Sequence, residues 1–314
     1  MGPAATIEGR IGVQPLSDSG PDTYTSEQPL TYQPTGRAVF GGLLISQAIS
    51  AASATVPPDF HVYSSHSSFL RPVTASVRDR VLYHVDRVAD SRSYATRVVR
   101  ATQGDQDACV YMATIAYQRN DATASGNVIA YSPPLPDLDG LAPSDVPADA
   151  NRKLVEDAMS AESLPRALSS EAEPFDYRLF NVIAADHPTE YRVRSFVRAA
   201  QPLSSNASAA THAAALAYMS DEGMLAIAIL GNLDQLGDRF RNLAMAASLH
   251  HRVSFHDCTT ARADAWMVLE RETSWGGDGR VMMHQRTWDL ETGRLVMTCE
   301  QEALIRLKWS DSKL

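Results

Sequence analysis

The chain has 314 residues, of which 44% are hydrophobic and 21% charged, so it can form one large globular domain or two. Its formal net charge of −9 argues against a general binding surface for nucleic acid or for anionic membranes. The N-terminal sequence MGPAATIEGR does not resemble a secretory signal, and without a run of about 18 apolar residues we expect no membrane span.

The first predicted element is a helix from Gly41 to Val56, GGLLISQAISAASATV, which Pro57 and Pro58 end. It is apolar almost all round, and such a helix is a buried one. Strands follow in HVYSSHSSFLRPV, RDRVLYHVDRVADSRSYATRVVRATQ and ACVYMATIAYQR, with turns at ADSRS and QGDQD. The first part of the chain therefore reads as one helix followed by four strands.

The middle of the chain has a different composition. The stretch YSPPLPDLDGLAPSDVPADA is rich in Pro, Ala, Asp and Ser, which is typical of a linker. We therefore divide the chain into an N-terminal repeat over 1–120, a linker over 121–175 and a C-terminal repeat over 176–314.

The second part repeats the plan of the first. A second apolar helix begins at about Ala207 in ASAATHAAALAYMSDEGML. Strands are then predicted in SLHHRVSFHDCTT, in ADAWMVLERETSWGGDGRVMMHQRTWDL and in GRLVMTCEQEALIRLK. A buried helix with an antiparallel sheet, present twice, predicts the α+β class.

Asp221 is the first candidate for chemistry, because it stands near the C-terminal end of the second helix. The helix dipole disfavours an acid there. Asp221 either faces solvent where the helix ends or is buried, and in the second case it is a candidate base with a perturbed pKa.

Gln301 lies in the strand sequence MTCEQEALI. Since side chains alternate along a strand, Gln301 shares a face with Cys299 and Ala303, while Glu300 and Glu302 share the other. We expect Gln301 to point inward, where its amide needs partners.

Ser248 opens the strand that begins SLHH and could join Asp221 and Gln301. In the same strand His250 and His256 face one side and His251 the other, and we expect no metal site there.

Several motifs in order give the chain a family likeness: AVFGGLLISQAI, HSSFLRPV, DSRSYATRVV, YMATIAYQ, LAYMSD, SLHHRVSFH, ETSWGGDGR and VMTCEQEALIRLK. With them it resembles the type II acyl-CoA thioesterases, most closely the peroxisomal members. The resemblance implies a double hotdog fold, in which each half is a long helix held by a curved antiparallel sheet.

The resemblance also implies the site. Its catalytic set matches Asp221, Ser248 and Gln301, which would hydrolyse an acyl-CoA thioester without metal or organic cofactor. Asp221 would act as general base, and the other two would orient the attacking water.

Substrate binding is assigned to Gly41, Gly42, His66 and His251. The two glycines either let a ligand approach closely or serve only tight helix packing, and the sequence leaves both readings open.

The chain departs from the family pattern at His250 and Ser254, where an Asp and a Trp are usual. The departure leaves two alternatives open beside hydrolysis of fatty acyl-CoA. One is hydrolysis of a specialised, polyketide-type thioester, and the other is a non-catalytic acyl-CoA-binding protein.

The sequence ends in Ser312, Lys313 and Leu314. This tripeptide predicts recognition by the peroxisomal import receptor and a location in the peroxisomal matrix. The resemblance further implies a homo-oligomer.

Overall fold

The computed structural model describes residues 6–30, 38–75, 80–104, 108–120, 128–148, 174–183, 187–236, 242–257 and 259–308. The predicted targeting tripeptide, Ser312 to Leu314, and much of the predicted linker lie outside these residues.

The two predicted buried helices are both present. The helices are α1 (Ile7–Ile11), α2 (Gly41–Ser53), α3 (Ala209–Asp221), α4 (Met224–Leu230) and α5 (Leu233–Leu236). Ser208 caps α3, because its Oγ accepts a hydrogen bond from the backbone N–H of Thr211 at 3.1 Å. Gly223, with φ of 71°, separates α3 from α4, where the sequence had suggested one continuous helix.

The strands follow the predicted order, with one addition. The first half contains β1 (Val13–Pro15), β2 (Thr23–Ser26), β3 (Phe60–Phe69), β4 (Leu82–Asp90), β5 (Tyr94–Gln103) and β6 (Ala108–Arg119). The second half contains β7 (Phe175–Ile183), β8 (Arg192–Ala199), β9 (Leu243–Phe255), β10 (Met267–Gly277), β11 (Arg280–Asp289) and β12 (Leu295–Leu307). The pair of strands that precedes the long helix in each half was not predicted.

All twelve strands form one sheet in the order β1-β2-β4-β5-β6-β3-β9-β12-β11-β10-β8-β7. The second half of this order repeats the first in reverse, so the two halves meet along β3 and β9. At that seam the strands run antiparallel, and His66 pairs with Arg252. The predicted α+β double hotdog architecture is confirmed.

Helices α2 and α3 pack against each other and share one buried apolar cluster with residues of the sheet. Their approach is close, since a Cβ on Gly42 would lie 2.7 Å from the carbonyl oxygen of Tyr218. The stretch Ala209–Leu230 is long and apolar enough to cross a membrane by composition, although the sequence led us to expect none. In the fold it covers α3 and α4, and 67% of its most apolar window is buried inside the protein, as in a core helix.

Candidate active site

Three elements of the second half bring the predicted catalytic residues together. Asp221 is the last residue of α3, Ser248 lies on β9, and Gln301 lies on β12. Asp221 is only 4% exposed and Gln301 is fully buried. The Gln301 amide nitrogen donates a hydrogen bond to Ser248 Oγ at 2.8 Å. The expectation that Gln301 points inward with Cys299 and Ala303 is confirmed by their burial.

The carboxyl group of Asp221 has a perturbed pKa. Burial raises this pKa to about 6, because removal from water disfavours the charged form. Gln301, the backbone N–H of Gly42, the charge of Arg271 and the hydroxyl of Ser248 act in the opposite direction and keep the rise moderate. Asp221 is therefore ionised at neutral pH while remaining basic enough to take a proton.

Two buried oxygen atoms of the site lack a hydrogen-bond donor among the described residues. They are Asp221 Oδ1 and Gln301 Oε1. Buried polar atoms are nearly always paired, so an unpaired couple on adjacent side chains has a reason. Both atoms are acceptors, and one water molecule has two hydrogens to donate. The pair is thus suited to hold and orient a single water.

The first half of the chain contributes the start of α2. A Cβ on Gly41 would lie 2.8 Å from Asp221 Oδ2 and 3.0 Å from the ring of Phe69, so no larger residue fits there without displacement. Gly42 instead packs α2 against the backbone of Tyr218 on α3. Of the two readings left open, Gly41 agrees with close approach at the site and Gly42 with helix packing.

His251 lies beside the catalytic set and is 1% exposed. Its Nε2 is 3.0 Å from Ser220 Oγ and 3.2 Å from Cys299 Sγ, and its backbone pairs with that of Gln301. Burial lowers the pKa of His251 to about 3, so the ring is neutral at physiological pH. The ring therefore connects the end of α3 with β12 and does not carry charge.

His66 does not join the site, and its assignment to substrate binding is not supported. Ser65 and Ser67 on either side of it are buried, whereas His66 is exposed on the opposite face of the sheet. There its titration is influenced by Arg252 and Glu300, which share the outer face. The alternation of a strand, applied to SSHSS, could have shown this.

The departures at His250 and Ser254 also lie on the outer face. His250 is exposed, with Nδ1 3.1 Å from Ser68 Oγ. Ser254 alternates with the buried Val253 and Phe255. The two positions therefore do not line the catalytic site, and the structural motive for a specialised substrate is removed.

Arg271 is a residue of the site that the sequence analysis missed. It is buried on β10, donates to Gln285 Oε1 at 2.8 Å and to the carbonyl oxygen of Met219 at 3.2 Å. Its charge favours the ionised form of Asp221. The signal was present, because Arg271 alternates with Leu269 on an otherwise apolar strand.

The family models match both halves. Residues 28–118 match the acyl-CoA thioesterase N-terminal domain, and residues 143–305 match the acyl-CoA thioesterase C-terminal domain. The fold and the buried Asp221, Ser248 and Gln301 together agree with a hotdog thioesterase. The chain belongs to the acyl-CoA thioesterase family.

Particular relatives extend over nearly the whole chain. Acyl-coenzyme A thioesterase 8 of Mus musculus is 31% identical over 311 residues, which cover 97% of this chain and 90% of the relative. The peroxisomal acyl-coenzyme A thioester hydrolase 1 of Saccharomyces cerevisiae is 31% identical over 117 residues, 37% of this chain and 32% of the relative. The crystal structure of an acyl-CoA thioesterase II from Mycobacterium marinum superposes with a TM-score of 0.72 at 25% identity, covering 96% and 98% of the two chains.

Proposed function

We propose that the protein hydrolyses fatty acyl-CoA to a free fatty acid and CoA, with the attacking water held by Asp221, Gln301 and Ser248. The observation that carries this proposal is the pair of buried, unpaired acceptor atoms, Asp221 Oδ1 and Gln301 Oε1. The names of relatives that cover almost the full chain support the substrate class.

The proposed reaction has two steps at one carbon. The water oxygen attacks the thioester carbonyl carbon while Asp221 accepts a water proton as general base. The resulting oxyanion is stabilised by backbone N–H groups at the start of α2, where Gly41 and Gly42 lie and the helix dipole favours negative charge. The carbon–sulfur bond then breaks, and the CoA thiolate takes up the proton from Asp221.

Two other functions are less well supported. A binding protein without catalysis has no need for a buried carboxylate whose ionisation is opposed by burial, and such a group reduces stability. Hydrolysis of a specialised thioester rested on His250 and Ser254, which lie on the outer face of the sheet.

The test measures release of free CoA thiol from short-, medium- and long-chain acyl-CoA by the wild type and by Asp221→Asn. We expect turnover by the wild type and a loss of about 100-fold or more in the variant, since a general base contributes about that much. Binding of acyl-CoA to Asp221→Asn serves as the control for folding. Near-normal turnover by the variant would refute the role of Asp221, and binding without turnover by the wild type would favour the binding protein.

We further propose a role in fatty acid metabolism in the peroxisomal matrix, reached through the import receptor. The name of the yeast relative and the tripeptide from Ser312 to Leu314 support this proposal. Deleting the tripeptide should leave thioester hydrolysis unchanged and make the protein cytosolic. Imaging that still finds the deletion variant in peroxisomes would contradict the proposal. The homo-oligomer stays a prediction, which sedimentation would decide.

A further inference from the structure

A small apolar cluster, separate from the main core, lies against the catalytic residues. Its buried members are Met224, Ala228, Met283, Cys299 and Ala303. The main cluster is rich in Ile, Val, Leu and Tyr, whereas this one consists of small residues and methionine. Methionine is unbranched and flexible, so a wall made of it rearranges at low cost.

The cluster lies against the catalytic residues on two sides. Cys299 and Ala303 flank Gln301 on the inner face of β12, and Met283 pairs with Gln301 across from β11. Met224 begins α4, three residues after Asp221. A thioester carbonyl held by the catalytic residues would therefore have this cluster as its apolar neighbour.

From Gln301 the apolar surface continues along β12. By strand alternation Ala303, Ile305 and Leu307 share the inner face, and their exposure rises from buried through half-buried to 40% at Leu307. Half-buried Val281, which pairs with Ala303, packs against the same cluster. Six residues of strand span about 20 Å, which is comparable with an extended long fatty chain. We call this surface from Gln301 to Leu307 the β12 track.

Helix α4 covers the β12 track. It is one short apolar helix that packs on β9, β10 and β11, and Leu225 on it touches the cluster. Glycines stand at both of its ends, Gly223 with φ of 71° and Gly231. A side chain at Gly223 would be strained, so the position specifies a sharp turn between α3 and α4.

The other side of the catalytic residues differs in character. Phe40, Gly41 and Phe69 are half-buried there, and Arg71 beyond them is exposed. Acyl-CoA has an apolar end and an anionic nucleotide end. The basic, exposed side suits the nucleotide, and the closed apolar side suits the acyl chain.

We propose that the β12 track binds the unbranched chain of a long-chain acyl-CoA, and that Met224 and Met283 move aside to admit it. This inference rests on the proposed thioesterase function. It names the acyl part of the substrate and the residues that select its length.

The test compares kcat/KM for dodecanoyl-CoA with kcat/KM for butanoyl-CoA. Ile305→Trp places a ring in the half-open part of the track and should lower this ratio about tenfold, since added volume in a packed path is unfavourable. Met283→Ala and Met224→Ala each remove three heavy atoms from the path and should raise the ratio about threefold. The matched control is Met267→Ala, an equally buried methionine of the main core, which should leave the ratio unchanged.

Ratios that shift in opposite directions in Ile305→Trp and Met283→Ala would support the track. A ratio that stays at the wild-type value in both, while thioester hydrolysis continues, would overturn the track and leave the proposed function intact. A wild type that releases thiol from butanoyl-CoA but not from dodecanoyl-CoA would also overturn it. Absence of thiol release from every ester would overturn the proposed function, and the track with it.

Discussion

The two halves of the molecule have the same plan, but their long helices end differently. Helices α2 and α3 both have 13 residues, and the last residue is Ser53 in α2 and Asp221 in α3. Ser53 Oγ lies 3.1 Å from the hydroxyl of Tyr117 and is satisfied within the first half. Asp221 has an oxygen that no described residue satisfies.

The strands beside the two helix ends differ in the same way. Ile115 on β6 pairs with Ser65 and Arg97, as Gln301 on β12 pairs with its two neighbours, so the two residues hold equivalent positions. By the same registers Val62, paired with Tyr117, stands where Ser248 stands, paired with Ala303. The equivalent position in the first half therefore has no acid, no amide and no hydroxyl at these three points.

The first half fills its equivalent space with a buried arginine. Arg97 is 1% exposed and donates to Thr55 Oγ1 at 2.8 Å and to Asp90 at 2.7 Å. Its equivalent in the second half is Met283, a member of the apolar cluster beside Gln301. Duplication has thus produced one half that holds the reactive groups and one that supplies a wall and the start of α2.

The comparison predicts that giving Gln301 the side chain of its counterpart destroys catalysis. Gln301→Ile should fold, because isoleucine occupies the equivalent place on β6, and should lower kcat by about 100-fold or more, since the water loses an oriented partner. Ile115→Val is the matched control, with a cost in stability of about 1 kcal/mol and no change in kcat. Equal loss of kcat in both variants would contradict the division between the halves.

A smaller effect is expected at Ser248. Ser248→Val copies Val62 and removes the hydroxyl that accepts from Gln301, and we expect kcat to fall about tenfold because the amide is less well oriented. Ser254→Val, on the outer face of the same strand, should leave kcat within about twofold. Thioester hydrolysis measured at saturating substrate separates the two, and a normal rate for Ser248→Val would remove Ser248 from the site.

The smallest effect concerns stability. Burial raises the pKa of Asp221 from 3.8 to about 6, so the ionised carboxyl makes the folded state less stable above pH 6 by roughly 2–3 kcal/mol. The acid is protonated in both the folded and the unfolded state well below pH 3.8, and the cost is absent there. Asp221→Asn should therefore unfold at higher denaturant concentration than the wild type at pH 8, and the difference should shrink as the pH falls. A difference that is independent of pH would show that Asp221 is not ionised in the folded protein.

Local patterns in the sequence predicted the long helices, most strands and the inward direction of Gln301. The fourteen-residue reach of α4 and the strand pairs β1–β2 and β7–β8 were beyond them, because edge strands are short or weakly patterned and are fixed by pairing with a neighbour. His66 was misassigned since a motif was followed and the alternation around it was not. Arg271 was missed because a charge on an apolar strand acquires meaning only when the fold buries it beside Asp221.

The most direct test of a single reactive half is the pH dependence of kcat/KM for thioester hydrolysis. Burial raises the pKa of Asp221 to about 6, and the base must be ionised to act, so the wild-type value should fall about tenfold per pH unit below that point. Asp221→Asn should show a low rate without this inflection. A wild-type profile that is flat through pH 5 to 7, or an inflection that persists in Asp221→Asn, would contradict the assignment of Asp221 as the base.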